Sequence, residues 1–329
     1  MPRLLPVGLP YARGEMKGTE TEVASAAVER LWPGRPAQVA ALSGGTTNRN
    51  YRVDVDGASF VLRVGGKDTN LLGIDRATEH AASLRAAEIG VGPKVVAFVE
   101  SEGWLVTRFI SGKGIPPEEL RTPEGIRRVA AVLRKIHKAA AIPGRFDAHT
   151  VVDQYREEAT KHGVWIPAEF DHAHLASERI RRARGPQPQV PCHNDLLNAN
   201  FLDDGEIRVV DWEYAGMGDR FFDLANLSVN HDFSLDDDRL LVAAYFGVER
   251  PADLAALRLM RLMSDFREAM WGVLQSGIST LDFDFRSYAD KHFNRLLLAA
   301  ADPDFEHYLR QTSAGRMEDP PPAARRRGP

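Results

Sequence analysis

The stretch Pro191–Asn230, PCHNDLLNANFLDDGEIRVVDWEYAGMGDRFFDLANLSVN, decides how the rest of the chain is read. It sets His193-x-Asp195 ahead of Asn200, five residues on, and places Asp211 sixteen residues beyond Asp195, after the short run Ile207–Val210. Between Ala199–Leu202 and Ile207–Val210 lies Asp203-Asp204-Gly205-Glu206, a hairpin signal. A hairpin there brings Asn200 beside Asp211, although eleven residues separate them. Glu213 is two positions past Asp211, so on an extended segment it faces the same way.

The spacing H-x-D-x-x-x-x-N is that of a kinase catalytic loop. Phosphoryl transfer needs positioning and charge neutralisation more than covalent chemistry. Asp195 is expected to be the catalytic carboxylate that orients an acceptor hydroxyl and takes its proton. Asn200, Asp211 and Glu213 are expected to hold Mg²⁺ through hard oxygen ligands. Taken singly, most of these residues have plainer readings. His193 reads as a brace of the loop, Cys192 as a small buried filler, and Asp223 as a group bonding the loop backbone. The joint pattern of Asp195, Asn200 and Asp211 is what points to catalysis.

Upstream, the periodicity changes character. Residues 1–18 read as a loose arm, and Glu22–Leu31 as a helix stopped at Pro33. Asn50–Val55 alternates, Asp56-Gly57 signals a hairpin, and Ser59–Val64 returns. Asp75–Ile89 reads as a helix with Asp75 as N-cap and Gly90 as stop. Val95–Val99 and Trp104–Ile110 flank a Ser-Glu-Gly turn as a second hairpin. This order predicts a small α+β lobe over residues 19–111. The Gly/Pro-rich Gly112–Pro117 marks the boundary to a mainly helical lobe over 112–311. Its helices are expected over Thr122–Ala141, Val152–Lys161 and Ala176–Arg184, and through most of Leu240–Ala301. Residues 312–329, with Pro320–Pro322 and Arg325–Arg327, read as a disordered tail.

Bulk properties exclude several classes. The 329 residues are enough for a two-lobed unit with a large core. A formal charge of -4 argues against nucleic acid, and the cluster Arg179, Arg181, Arg182, Arg184 reads as a solvated helix end. One cysteine excludes an intramolecular disulfide and leaves a thiolate zinc site short of ligands, which fits a reducing cytoplasm. The N-terminal run is broken by Pro6 and Pro10, so it does not read as a signal peptide. No apolar run approaches the ~18 residues that would span a membrane.

The run HNDLLNANF…VVDWEYAGMGDRFFDLANLS resembles the choline/ethanolamine kinase branch of the aminoglycoside phosphotransferase superfamily, and the likeness extends from Leu42 to Ala301. The resemblance implies a protein-kinase-like, two-lobed fold with ATP between the lobes. It implies that Ser43, Gly44, Thr46, Thr47 and Asn48 form the phosphate-covering loop, whose small residues let backbone N–H groups approach phosphate oxygens. The loop is not a Walker A sequence. Arg63 falls where protein kinases carry the nucleotide lysine, and this branch carries arginine there. Glu79 is placed to hold Arg63. Arg108, Phe109 and Ile110 fall in the inter-lobe linker, whose backbone is expected to bond adenine.

For the acceptor, the resemblance implies an aromatic pocket around Trp271, with Tyr214, Phe283, Phe285 and Tyr288. A quaternary ammonium is well held by aromatic faces. Two departures stand out: Glu268 replaces a second substrate tryptophan, and Asn230 replaces an acidic residue. The aromatic cage is therefore incomplete, although a carboxylate at Glu268 would attract an amine. The expected partner is a small hydroxyl compound of the choline or ethanolamine type, with a second copy of the chain as an open alternative. An aminoglycoside, thiamine, sugar or macrolide acceptor is the alternative within enzymes. A nucleotide-binding pseudokinase is the alternative outside them, opposed by the intact Asp195, Asn200 and Asp211.

Overall fold

The computed structural model describes residues 13–14, 18–42, 48–66 and 69–318, and the side chains of 22–42, 48–66 and 69–313. Its first part is a six-stranded antiparallel sheet. The elements in chain order are β1 (Arg13–Gly14), α1 (Gly18–Leu31), β2 (Ala37–Leu42), β3 (Asn48–Val55), β4 (Ala58–Gly65), α2 (Arg76–Glu88), β5 (Val95–Val99) and β6 (Trp104–Arg108). The strands lie in the order β1-β2-β3-β4-β6-β5. The β3–β4 turn is the Asp56-Gly57 pair, both with positive φ (49° and 73°), as a two-residue hairpin of the right twist requires. Asp75 caps α2 by accepting from the Thr78 N–H at 2.9 Å.

The rest of the chain is mainly helical: β7 (Lys113–Gly114), α3 (Pro117–Leu120), α4 (Pro123–His137), α5 (Ala148–Lys161), α6 (Glu169–Arg184), β8 (Gln189–Cys192), β9 (Phe201–Asp203), β10 (Ile207–Val209), β11 (Gly216–Asp219), α7 (Arg220–Asn230), α8 (Leu235–Phe246), α9 (Pro251–Ile278), α10 (Phe285–Ala301) and α11 (Pro303–Glu318). β9 and β10 form the expected hairpin, with Asp203 opposite Ile207. β8 pairs with β11, Cys192 opposite Gly216, so the two ends of the motif segment are tied together. This is the small sheet-rich part and larger helical part that the motif segment foretold.

Hydrophobic burial divides into two clusters. One joins α1 to the sheet through Ala24, Ala27, Val28, Tyr51, Val53 and Leu62. The other fills the helical part and also takes in Leu72, Ile74, Ala82, Ala86 and Val91. Helix α2 therefore packs its small residues into the large core while offering Glu79 to the sheet.

Several expectations are corrected. α11 runs on to Glu318, past Thr312, where the disordered tail was expected to begin. Phe305 and Leu309 bury into the large core, and the first helix-breaking proline comes only at Pro320. Residues 319–329 lie outside the described residues. The arm expected over 1–18 contains β1, which pairs with Leu42 and Ala41. Arg184 is not solvated: it is 3% exposed, ion-paired with Asp219, and its guanidinium lies 5.0 Å from the Phe221 ring centre.

Candidate active site

The segment from β8 to β9 is held in an unusual backbone path by buried polar groups. Asn194 sits at φ 66°, in the left-handed region that asparagine tolerates better than most residues. The buried Asp223 carboxylate from α7 accepts the backbone N–H groups of His193 (2.9 Å) and Asn194 (2.7 Å), and His137 Nε2 lies 3.0 Å from it. Asn226, one turn along α7, accepts the Leu196 N–H at 2.6 Å. Asp223 is thus a brace, as its position in the sequence suggested. Asp223→Ala would leave two loop N–H groups and the His137 ring nitrogen without their partner. Buried unsatisfied groups cost about 1–3 kcal/mol each, so the expected loss of stability is about 3 kcal/mol or more. Urea unfolding checks it, and an unchanged midpoint would contradict it.

His193 is fully buried, and burial pushes its pKa down. Its Nε2 donates to the Val210 carbonyl (3.0 Å), so its Nδ1 is left to accept the Asp195 N–H (3.3 Å). Its ring meets Trp212 edge-on at 4.7 Å. These bonds orient Asp195. Asn200 Nδ2 donates to the Asp195 carbonyl at 2.8 Å, which points the amide oxygen away from it. The Asp195 carboxyl is 8% exposed as a residue, and burial pushes its pKa up to about 8, against the pull of Arg267.

Beside this loop, the sheet contributes a network of alternating charge. Asp211, at φ 69°, lies 2.9 Å from Arg63 Nη2, and Arg63 Nη1 pairs with Glu79. Arg76 bonds Glu79 (2.6 Å) and the Asn48 oxygen (2.8 Å) and lies 3.4 Å from Glu213. Asn48 Nδ2 closes the ring by donating to Glu213 at 2.8 Å. Burial, and next the Asp211 charge, push the Glu213 carboxyl up to about 7. The sequence reading did not single out Arg76. It lies one turn before Glu79 on α2 and is, after Arg63 of β4, the second cation on that carboxylate.

Of the expected phosphate loop, Ser43, Gly44, Thr46 and Thr47 lie outside the described residues. Asn48 is the first residue of β3 and donates to Glu213. In the linker, the Arg108 N–H donates to Lys94 O (2.8 Å) and the Phe109 N–H to Ser59 O (3.1 Å). Any adenine contact by these two residues would run through carbonyl oxygens. Their side chains face the sheet: Arg108 lies 4.6 Å from the Phe60 ring centre, and Arg52 lies 4.5 Å from that of Phe109. Ile110 is buried.

On the other side of Asp195, α9 presents Arg267, Glu268 and Trp271. Arg267 Nη1 lies 3.5 Å from Asp195 Oδ1 and pairs with Glu268, and its guanidinium sits 4.3 Å from the Tyr214 ring centre. Glu268 also accepts the Tyr288 hydroxyl at 2.7 Å. Its charge is therefore already countered, which the expectation of an amine-attracting Glu268 did not include. Trp271 donates its indole N–H to the Tyr214 hydroxyl at 3.2 Å and meets Phe285 and Tyr288 edge-on at 5.7 Å each. Phe283 stands 4.8 Å from Phe285 and 6.0 Å from Tyr288. The aromatic residues therefore form one cluster, joined to the loop after β8 through Tyr214, whose carbonyl accepts from Asn194 Nδ2 at 3.0 Å. Trp271 is 7% exposed. Arg267 had no assigned role. The signal for it was a charged pair, Arg267-Glu268, in the middle of an apolar helical run.

Comparison with known proteins defines the class. Residues 38–260 match the model of the phosphotransferase enzyme family, more than half of the chain, and the protein belongs to that family. Within it, the chain falls in the choline/ethanolamine kinase-like branch, a group of small-molecule kinases with an alcohol as acceptor. A choline/ethanolamine kinase family protein from Mesorhizobium loti superposes with a TM-score of 0.77 at 34% identity, covering 90% of this chain and 99% of that one. Ethanolamine kinase 1 of Mus musculus is 26% identical over 80% of this chain and 84% of its own length. A probable ethanolamine kinase of Arabidopsis thaliana is 24% identical, covering 77% of each. No helix among the described residues is long and apolar enough to cross a membrane.

Proposed function

We propose that the chain transfers the γ-phosphoryl group of ATP to the hydroxyl of a small amino alcohol of the ethanolamine and choline class. The observation that carries this is the oriented Asp195 carboxylate, set between the Asn200–Asp211 side and the aromatic group of α9. Asp195 orients the acceptor hydroxyl and takes its proton as the oxygen attacks phosphorus. Arg63, held by Glu79, is placed to meet phosphate oxygens. The relatives support the acceptor class, and a related LicA crystallised with AMP supports the nucleotide.

The acidic group suits a magnesium ion by its chemistry. Asp211 Oδ1 is buried near Arg63 but off hydrogen-bonding geometry, so it has no donor. The Asn200 oxygen is turned away from Asp195, and the neighbouring Glu213 carboxylate is destabilised by burial and next by the Asp211 charge. Asn200 and Asp211 would hold the ion, with Glu213 beside them. When bound, Mg²⁺ supplies charge neutralisation of the triphosphate oxygens.

The test is ATP turnover by the purified chain with choline, ethanolamine, thiamine and aminoglycosides. Absence of phosphorylated product with every acceptor would overturn the proposal. The close packing of Trp271 favours keeping the acceptors outside the choline class in that panel. Arg63→Ala is expected to raise KM for ATP roughly 10- to 100-fold, because a charge-assisted contact is worth about 1.5–3 kcal/mol. KM for the acceptor should change much less. Equal rises in both would place Arg63 away from the nucleotide.

A further inference from the structure

Arg76, the first residue of α2, bonds three members of the charged network beside Asp195. Its Nη1 meets Glu79 Oε2 at 2.6 Å and lies 3.4 Å from Glu213 Oε2. Its Nη2 donates to Asn48 Oδ1 at 2.8 Å, and Asn48 in turn donates to the same Glu213 oxygen at 2.8 Å. The start of β3, the start of α2 and the segment after β10 are thus fixed to one guanidinium, whose planar fork holds its donors in a rigid array.

Glu79 shows what this does to Arg63. Its Oε1 pairs with Arg63 Nη1, and its Oε2 is taken by Arg76. A carboxylate facing an arginine commonly turns both oxygens onto the fork, as a bidentate pair. Arg76 prevents that by occupying the second oxygen. Arg63 is therefore gripped by Glu79 at one nitrogen only, and its Nη2 is left to face Asp211 at 2.9 Å.

The backbone is shaped around the same side chain. Gly65 lies opposite Asn48 in the β3–β4 ladder. A Cβ at Gly65 would come 3.1 Å from Arg76 Nη2 and 3.2 Å from Nε, tighter than ordinary contact. Gly65 is not one of the positive-φ glycines, so its own conformation does not call for glycine. The close approach of Arg76 does.

We propose that Arg76 is a positioning residue for the nucleotide: by holding Glu79 and Asn48 in place, it keeps the Nη2 side of Arg63 free to meet the phosphate oxygens of ATP. This rests on the reading of the chain as an ATP-dependent kinase with Arg63 on the nucleotide. Arg76 itself stays on Glu79, Asn48 and Glu213 and acts through them.

The test uses the full chain with Mg²⁺. Calorimetry gives Kd for a non-hydrolysable ATP analogue, and initial rates give KM for ATP and for the acceptor. Arg76→Met is expected to raise the analogue Kd and the KM for ATP roughly 3- to 30-fold, within the range of couplings in one ion-pair network. The KM for the acceptor should stay nearly unchanged. Arg76→Lys keeps the charge but lacks the fork that reaches Glu79 and Asn48 together, so it should recover only part of the loss. Gly65→Ala crowds the guanidinium without removing a charge, and should raise the same two constants at least roughly twofold, the low end of such couplings. The deciding comparison is made in the Arg63→Ala background. There Arg76→Met should add less than roughly twofold, because its effect runs through Arg63. A role confined to the stability of the fold would cost the same in both backgrounds. Equal losses in the two backgrounds, or an analogue Kd unmoved by both Arg76→Met and Gly65→Ala, overturn the proposal and leave the kinase reading intact. If Arg76→Met does not fold, Gly65→Ala with and without Arg63→Ala decides by the same comparison. An analogue Kd unmoved by Arg63→Ala overturns the proposal together with the placing of Arg63 on which it rests.

Discussion

Asp195→Asn should lower kcat by roughly 10²- to 10⁴-fold, the usual worth of a positioned proton acceptor, with the affinity for ATP nearly unchanged. The substitution keeps the shape of the side chain and removes only its ability to take a proton. Its effect on the fold follows from the burial of the carboxyl. A carboxyl whose pKa is raised in the folded state gives stability that is full below its unfolded value, near 4, and is lost as pH rises through the folded value, about 8. Around pH 8 the native chain therefore bears the cost of a buried charge, offset by Arg267 at 3.5 Å. Asparagine carries no such cost, so the variant should be no less stable there despite its lost pairing. The check is single-turnover phosphoryl transfer beside a thermal melt at pH 8. Near-native turnover would remove Asp195 from its role, and a large fall in Tm would mean that the rate loss reports unfolding.

Most of the architecture is visible in the chain because its local signals agree with one another. Asp56-Gly57 lies between two alternating runs, and Asp75 precedes a helical run that Gly90 stops. Each states its own geometry without help from distant residues. Misplaced boundaries mark the places where tertiary packing decides. α6 begins at Glu169 rather than at Ala176, because Phe170 and Ala173 extend its buried face. β2 had no signal, since its burial alternates only weakly. α7 was not marked as a helix. Asp223 and Asn226 lie on it as polar residues in a fully buried stretch, and both turn out to bond the backbone of the loop after β8.

The candidate site divides along the same line. His193, Asp195 and Asn200 precede the β9–β10 hairpin and Asp211 follows it, so sequence spacing is enough to bring them together. Arg63 with Glu79 was legible through the family resemblance, and the structure pairs the two. The Asn48–Glu213 bond spans 165 positions and the Arg267–Asp195 contact 72. No periodicity encodes such distances. What the sequence did contain was the anomaly: Arg267-Glu268 inside α9, where almost every neighbour is buried. A charged pair in such a run must find partners, and here the partners are Asp195 and Tyr288.

Asp211→Ala is the second substitution expected to abolish turnover. Removing this carboxylate deletes a buried acidic oxygen that has no hydrogen-bond donor and leaves Asn200 and Glu213 as oxygen donors. Glu213 is a poor substitute, because Asn48 and Arg76 already hold it. The charge lost on the metal side is worth several kcal/mol in the transition state, and about 1.4 kcal/mol is tenfold in rate, so kcat should fall by roughly 10³-fold or more. Arg63 would also lose its 2.9 Å partner and keep Glu79 alone. Glu213→Gln should cost less than Asp211→Ala, since glutamine can still accept from Asn48. Initial rates measured over a range of Mg²⁺ concentration, for both variants, separate the two positions. Saturating Mg²⁺ should not restore Asp211→Ala. Full activity of the unmodified chain in EDTA, or equal losses at 211 and 213, would remove Asp211 from its place as the principal metal ligand.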